Sequence, residues 1–144
     1  MPYRPMTEAE VGDFLASSPP RTGKLATVRA DGRPHVAPVW YVMEGDTIVF
    51  NTGVSTVKGR NLRRDPRASI CVDDERPPFS FVVVEGTVEL SDGLDDLRTS
   101  ATLIGARYMG AGRAKEFGAR NGVPGELVVR LRPERVVSAL DLAD

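Results

Sequence analysis

The chain has 144 residues, of which 41% are hydrophobic and 27% charged, values typical of a soluble globular protein whose core needs neither disulfides nor metal. Its 19 basic and 20 acidic residues leave a formal net charge of -1, which argues against binding to nucleic acid through overall charge. The single cysteine, Cys71, excludes an internal disulfide, and the lack of a long apolar run or a signal peptide predicts one cytoplasmic domain over residues 1–144, without a membrane span.

The first predicted element is an N-terminal helix. Thr7 and Glu10 have the spacing of a capping box, in which each side chain accepts a hydrogen bond from a backbone N–H at the helix start. The helix should bury Val11 and Phe14. We expect it to end by Ser18, because Pro19 and Pro20 cannot continue it.

A hairpin is predicted next, with strands over Lys24–Arg29 and Pro34–Met43 and a turn over residues 30–33. The second strand is apolar on both faces, so neither face suits contact with water. One face should pack on the core, and the other should be covered by a helix, a cofactor or another subunit. Pro38 lacks an N–H for the ladder, which predicts a sheet edge or a bulge at that position.

The stretch from Phe50 to Pro66 predicts a strand end, a turn and a basic helix. The third strand covers Thr47–Asn51, and Ser55 or Thr56 can cap a helix whose polar face carries Lys58 and several arginines. Free backbone N–H groups, a hydroxyl and a lysine at a helix start favour binding of phosphate. From charge alone, a solvent-exposed basic helix explains the pattern equally well.

The rest of the chain adds more strands than helices. The predicted strands are Arg67–Asp73, Phe79–Leu90 with a bulge at Gly86, and Glu126–Arg132 with a continuation over Val136–Leu140; the predicted helices are Leu94–Gly105 and Arg113–Arg120. Because most strands follow one another through hairpins, the order favours a mainly antiparallel barrel with a few covering helices over a parallel α/β sheet.

Several common chemistries lack their motifs here. Gly105 to Gly110 has the glycine spacing of a phosphate loop, but Ala111 and Gly112 stand where Lys and Ser or Thr would be needed. His35 is the only histidine, which rules out the usual structural zinc patterns and leaves no serine-histidine triad in a nucleophile elbow. We therefore expect no metal site and no catalytic side chain, and we interpret Cys71 as a buried strand residue.

Taken together, the motifs resemble the pyridoxamine 5′-phosphate oxidase-like split β-barrels and, within them, the flavin/deazaflavin-dependent oxidoreductases. The resemblance extends over most of the chain. It rests on Gly32-Arg33-Pro34-His35, Pro38-Val39-Trp40-Tyr41, Phe50-Asn51-Thr52, Thr56-x-Lys58, Asn61-Leu62 with Asp65-Pro66, and Gly86-Thr87-Val88. It implies a mainly β fold, a split antiparallel β-barrel of the FMN-binding type.

The resemblance also implies a cofactor site shared between the two subunits of a homodimer. Pro38, Val39 and Trp40 would lie along the cofactor ring. Its phosphate would be held by Thr52, Thr56 and Lys58, with Asn51, Ser55 and Asn61 close by, and Phe79, Phe81 and Tyr108 are nominated from the partner chain. The further cations that the tail of a deazaflavin needs would come from Arg60, Arg63, Arg64 and Arg67.

Two departures from the family's vitamin B6 oxidases favour the deazaflavin group. Position 57 is Val where those enzymes carry an arginine, and no histidine follows His35 to complete their substrate motif. The resemblance then implies coenzyme F420 as cofactor and a reductase that passes a hydride to an unsaturated or quinone-like small molecule. An FMN-dependent oxidase or reductase, and a non-enzymatic carrier of flavin, haem or a tetrapyrrole, are the alternatives.

Overall fold

The computed structural model describes residues 4–144. In chain order its elements are α1 (Glu8–Leu15), β1 (Gly23–Val28), β2 (Pro34–Val39), β3 (Val42–Glu44), β4 (Thr47–Gly53), α2 (Val57–Arg64), β5 (Arg67–Asp74), β6 (Ser80–Ser91), α3 (Leu94–Met109), α4 (Ala114–Asn121) and β7 (Glu126–Ala139), with one short 3-10 turn, Ala111–Arg113, before α4.

The seven strands form one antiparallel sheet in the order β2-β1-β5-β6-β7-β4-β3. The sheet curls into a barrel that stays open, since its edge strands β2 and β3 do not pair with each other. The prediction of a mainly β, split antiparallel barrel with a few helices is confirmed. Pro38 lies in edge strand β2, which pairs only with β1. On its outer side β2 has no neighbouring strand, so proline, which lacks an N–H, is tolerated there.

The predicted strand Pro34–Met43 is wrong as a single element. The chain leaves β2 after Val39, passes through Trp40 and Tyr41, and enters β3 at the opposite edge of the sheet. Tyr41 is fully buried at this crossover, and its hydroxyl donates to the Leu15 carbonyl at 2.6 Å. The side-chain alternation from Val39 to Tyr41 continues through the crossover, so it does not reveal that the chain changes its pairing partner there.

The inner faces of the strands form the main core. Because side chains alternate between the two faces of a strand, every second residue belongs to this core. Leu25, Ile70, Val82 and Leu131 are buried with Tyr41. Helix α1 closes one end of the barrel and begins with the predicted capping box: the Glu10 N–H donates to the Thr7 hydroxyl, and the Thr7 N–H donates to the Glu10 carboxylate.

Helix α3 runs four residues beyond its predicted end at Gly105. A Cβ atom at that glycine would lie 2.5 Å from Cβ of Phe117, so Gly105 allows α4 to pack closely on α3 and does not stop the helix. The helix start is fixed by Asp96, which accepts two hydrogen bonds from Arg130 of β7 at 2.7 and 2.8 Å. The Arg130 guanidinium lowers the pKa of the Asp96 carboxyl below its usual value.

The predicted bulge at Gly86 is confirmed by a register shift between Glu85 and Gly86. Gly86 lies opposite Pro133, and β7 continues through this proline as one strand where two segments were predicted. The bulge accommodates a residue that has no N–H to donate.

One side of the sheet carries an apolar surface that nothing in the described residues covers. Side chains from β1, β2, β5, β6 and β7 share this side by register, and we call it the outer apolar face: Ala26, Val36, Cys71, Phe81, Val83 and Val137. Val36 is 68% exposed and Val137 is 38% exposed. Cys71 was predicted as a buried strand residue, but it is only half-buried, because its side chain lies on this side of the sheet. Among residues 4–144, no helix has the length and apolar character needed to cross a membrane.

Candidate functional site

A cavity of about 290 Å³ opens at the split in the barrel. It lies between the end of β2, strand β4, the start of α2 and the helices α3 and α4. Five of the residues predicted for the cofactor site line it together: Pro38, Val39, Trp40, Asn51 and Lys58. Ile104 of α3 and Asn121 of α4 complete the wall. The structure therefore brings the apolar stretch of β2 next to the lysine at the start of α2.

The turn from β4 to α2 is held by the two predicted threonines. The Thr56 Oγ1 accepts from the Gly59 N–H at 3.0 Å, which makes Thr56 the N-cap, and donates to the Gly53 carbonyl at 2.8 Å. Thr52, which is buried, lies 3.0 Å from the same oxygen and must be the donor, because the Thr56 proton is already used. These hydroxyls give the turn its shape, while their contact with a cofactor stays a prediction.

Other groups at this turn have hydrogen-bond donors without a partner in the described part of the chain. Lys58 makes no hydrogen bond or ion pair with any residue in the described part of the chain, and Ser55 is exposed next to it. Val57 and Lys58 occupy the first helical positions, where backbone N–H groups have no partner inside the helix. An ammonium and helix N–H groups converge here, an arrangement suited to an anion.

The remaining basic helix residues divide into two kinds. Arg64 donates to the Val28 carbonyl and to Asn61, and Asn61 is buried with its amide donating to the Thr27 hydroxyl at 3.0 Å. These two residues fasten α2 to β1, and the predicted cofactor contact of Asn61 is untested. Arg60 and Arg63 are exposed and have no hydrogen-bonding partner within residues 4–144.

Trp40 lines the cavity and packs against two further rings, and we call the group of Trp40, Tyr108 and Phe117 the aromatic wall. Trp40 stacks on Tyr108 with ring centroids 5.0 Å apart and an interplanar angle of 2°, and Phe117 lies 6.0 Å from Trp40 at a tilt of 56°. Tyr108 was nominated from the partner subunit, yet it reaches Trp40 within one chain because α3 extends past Gly105. Burial raises the pKa of the Tyr108 phenol, which donates to the Arg21 carbonyl at 2.7 Å.

Arg107 anchors this aromatic wall to the barrel. Its guanidinium donates to the carbonyls of Tyr41 at 2.6 Å and Leu15 at 2.9 Å, and it lies over the rings of Tyr41 and Tyr108. The crossover between β2 and β3, the end of α1 and the end of α3 are thereby joined by one side chain. The wall has little freedom to move independently of the barrel.

Phe79 and Phe81 lie away from the cavity of their own chain. Phe79 is 40% exposed next to the start of β6, and Phe81 belongs to the outer apolar face. A role for them in a shared site requires a second subunit, so it remains a prediction.

No sequence pattern predicted Ile104, Asn121 or Glu126. Ile104 and Asn121 come from a helical hairpin whose docking side no local pattern reveals. Asn51 shows where that hairpin docks, because its amide donates to Ser100 of α3 at 2.9 Å.

Glu126 is brought to the turn by the pairing of β4 with β7, in which it lies opposite Gly53. Burial raises the pKa of its carboxyl above the usual value, and the nearby Lys58 lowers it to a smaller extent.

The arrangement offers a flat apolar and aromatic wall next to an anion-binding helix start. Asn51 leaves its side-chain carbonyl oxygen without a partner among residues 4–144, so it can accept a hydrogen bond from a ring N–H. Across that same part of the chain, no group of three or more His, Cys, Asp or Glu side chains is placed to hold a metal ion. The site suits a planar ring that carries a phosphate-bearing tail.

The chain is similar to a known protein family and to several solved structures. The family model of pyridoxamine 5′-phosphate oxidase matches residues 7–138. The crystal structure of the conserved hypothetical protein Rv2991 from Mycobacterium tuberculosis is 32% identical, with a TM-score of 0.80 over 92% of this chain and 84% of that one.

Two more distant structures share the fold. A protein named F420 reductase is 23% identical, with a TM-score of 0.63 over 91% of this chain and 98% of that one. A FAD-binding protein from Mesorhizobium loti is 21% identical, with a TM-score of 0.71 over 96% and 98%.

Proposed function

The chain belongs to the pyridoxamine 5′-phosphate oxidase family of split β-barrels, and from this premise we propose that it is an F420-dependent oxidoreductase. It transfers a hydride between the reduced deazaflavin and an unsaturated or quinone-like small molecule. The observation that carries the proposal is the cavity that joins Pro38, Val39 and Trp40 to Asn51 and Lys58. A protein named F420 reductase has the same fold.

The residues at the cavity fit both ends of such a cofactor. Pro38, Val39 and Trp40 would support the ring, and the unpaired Asn51 oxygen would accept a hydrogen bond from it. The phosphate would bind Lys58, Ser55 and the N–H groups at the start of α2, on a turn shaped by Thr52 and Thr56.

The charges beyond the turn favour a deazaflavin over FMN. FMN ends in one phosphate, whereas F420 continues into a phosphodiester and a tail of carboxylates, which gains from further cations. Arg60 and Arg63 are exposed and unpaired in the described chain, so they are free to meet such a tail. Val57 stands where the vitamin B6 oxidases have an arginine.

The bound deazaflavin supplies the hydride chemistry, so the protein needs no nucleophile of its own. Its residues would bind the cofactor and hold it in one orientation. Trp40, held by its stack on Tyr108, fixes one wall, and Arg107 keeps that wall against the barrel. Lys58 would neutralise the phosphate, and Pro38, Val39 and Trp40 would shield one face of the ring from water.

We further propose a homodimer whose subunits complete each other's site. The outer apolar face runs across five strands, and its exposed Val36 and Val137 need a cover that the barrel alone does not give. Phe79 and Phe81 lie on or next to this face, so a second subunit would bring them toward the partner's cavity.

An FMN-dependent oxidase or reductase is the second candidate. The same wall suits a flavin ring, the turn at Lys58 suits a single phosphate, and a FAD-binding protein shares the fold. This candidate makes no use of Arg60 and Arg63.

Titration of wild-type protein and Lys58→Ala with oxidised and reduced F420 tests the proposal. Loss of a charge-assisted phosphate contact should weaken binding by about 1.5–3 kcal/mol while the thermal transition stays in place. Lys115→Ala, which removes an exposed lysine from α4, is the matched control and should leave the affinity unchanged. Unchanged affinity in Lys58→Ala would show that the phosphate binds elsewhere.

A further inference from the structure

A carboxylate lies against the turn that is proposed to bind the cofactor phosphate. Glu126 pairs with Gly53 at the last position of the β4–β7 ladder. A Cβ atom built on Gly53 would lie 3.7 Å from Oε2 and 4.0 Å from Oε1 of Glu126, so both oxygens face the turn. The negative charge therefore stands beside Thr52, Gly53 and Thr56.

This carboxylate forms no direct ion pair among the described residues. Neither oxygen of Glu126 accepts a hydrogen bond from a residue in the described chain, and no cation there lies within 4 Å of it. Lys58 is near enough to lower the pKa of the Glu126 carboxyl, but burial has the larger and opposite effect. A fold that only needed to bind phosphate would gain nothing from an unpaired acid at this position, because like charges repel.

The repulsion depends on the charge of the phosphate. A phosphomonoester, as in FMN, carries close to two negative charges above its second pKa near 6, whereas a phosphodiester carries one. One unit of charge about 6 Å from the carboxylate, at an effective dielectric constant of about 80, changes affinity by about threefold, so the repulsion weakens binding of a monoanion by about threefold and of a dianion by about tenfold.

We propose that Glu126 is a specificity-determining residue, which selects a phosphodiester over a phosphomonoester by charge repulsion at the β4–α2 turn. The inference rests on the proposed function for the location of the phosphate. It adds a rejection of FMN-type cofactors to the attraction supplied by Lys58, and specificity commonly combines the two.

The test compares two flavins that differ by one methyl group on the phosphate, and therefore by one unit of charge: FMN and its phosphate monomethyl ester. Riboflavin, which has no phosphate, serves as the reference ligand. Wild type, Glu126→Gln and the control Asp92→Asn are titrated at about pH 8 and low salt, where the monoester is fully dianionic. Asp92 lines the same surface cavity as Glu126 and serves as the acidic control.

Glu126→Gln should tighten FMN binding by about tenfold and the methyl ester by no more than about threefold, with riboflavin unchanged. Asp92→Asn should change none of the three by more than about twofold. Equal gains for FMN and the ester, an equal gain for riboflavin, or no binding of either phosphorylated flavin would overturn the proposal.

A parallel titration with F420 separates this inference from the proposed function. If wild type fails to bind F420 while Glu126→Gln still gains selectively for FMN, the charge selection stands and the deazaflavin assignment falls. If F420 binds and the two flavin esters respond alike, the proposed function stands and the role of Glu126 falls.

Discussion

Replacement of Arg107 by methionine should destabilise the protein by about 3 kcal/mol, because it removes two well-formed hydrogen bonds from a charged donor. The bonds to the Tyr41 and Leu15 carbonyls, at 2.6 and 2.9 Å, contribute at least about 1.5 kcal/mol each. The third contact, to the Ser17 carbonyl at 3.3 Å, is too long to add much. Methionine keeps most of the apolar part of the side chain, so the measured loss of stability is due to the guanidinium group.

Urea and thermal unfolding measure this loss, which corresponds to a fall in Tm of about 10 °C for a chain of this size. Arg120→Met is the matched control, since Arg120 lies 5.6 Å from the Phe117 ring and is exposed. That control should change stability by less than about 0.5 kcal/mol. The reasoning is refuted if Arg107→Met costs less than about 1 kcal/mol, or no more than the control.

Three further outcomes follow from the same structure. Gly59→Ala should cost about 2–3 kcal/mol in urea unfolding, because its Cβ would overlap the carbonyl oxygen that ends β4. The double variant Arg60→Gln with Arg63→Gln should weaken F420 binding and flatten its salt dependence between about 50 and 300 mM, while FMN affinity stays constant; equal weakening of both would contradict the proposed tail contact. Sedimentation at low micromolar concentration should show a wild-type dimer and a Phe81→Glu monomer, and a wild-type monomer that still binds cofactor would rule out a shared site.

Local patterns predicted most of the secondary structure because each depends on nearby residues. The capping box at Thr7, the edge position of Pro38 and the bulge at Gly86 follow from hydrogen bonding within a few residues or from a missing N–H. The turn before α2 was predicted on the same basis, and Thr56 caps the helix as expected.

The features that failed depend on tertiary contacts. The change from β2 to β3 at Trp40 and Tyr41 depends on which strands lie beside each segment, and the unbroken alternation of side chains does not encode it. Helix α3 continues past Gly105, where α4 packs closely, so its end at Met109 was not predicted, while a contact of Tyr108 with the partner's cofactor stays a prediction. Glu126 reaches the β4–α2 turn through the long-range pairing of β4 with β7, so its charge could not be placed from sequence.

The central claim is that the cavity at the split in the barrel takes a deazaflavin. Direct titration of the wild-type protein with F420, FMN and haem in one buffer near physiological salt tests it most directly. The account predicts that F420 binds tighter than FMN by at least about tenfold, with quenching of the Trp40 fluorescence as the ring meets the wall. Tighter binding of FMN, or binding of haem alone, would contradict it.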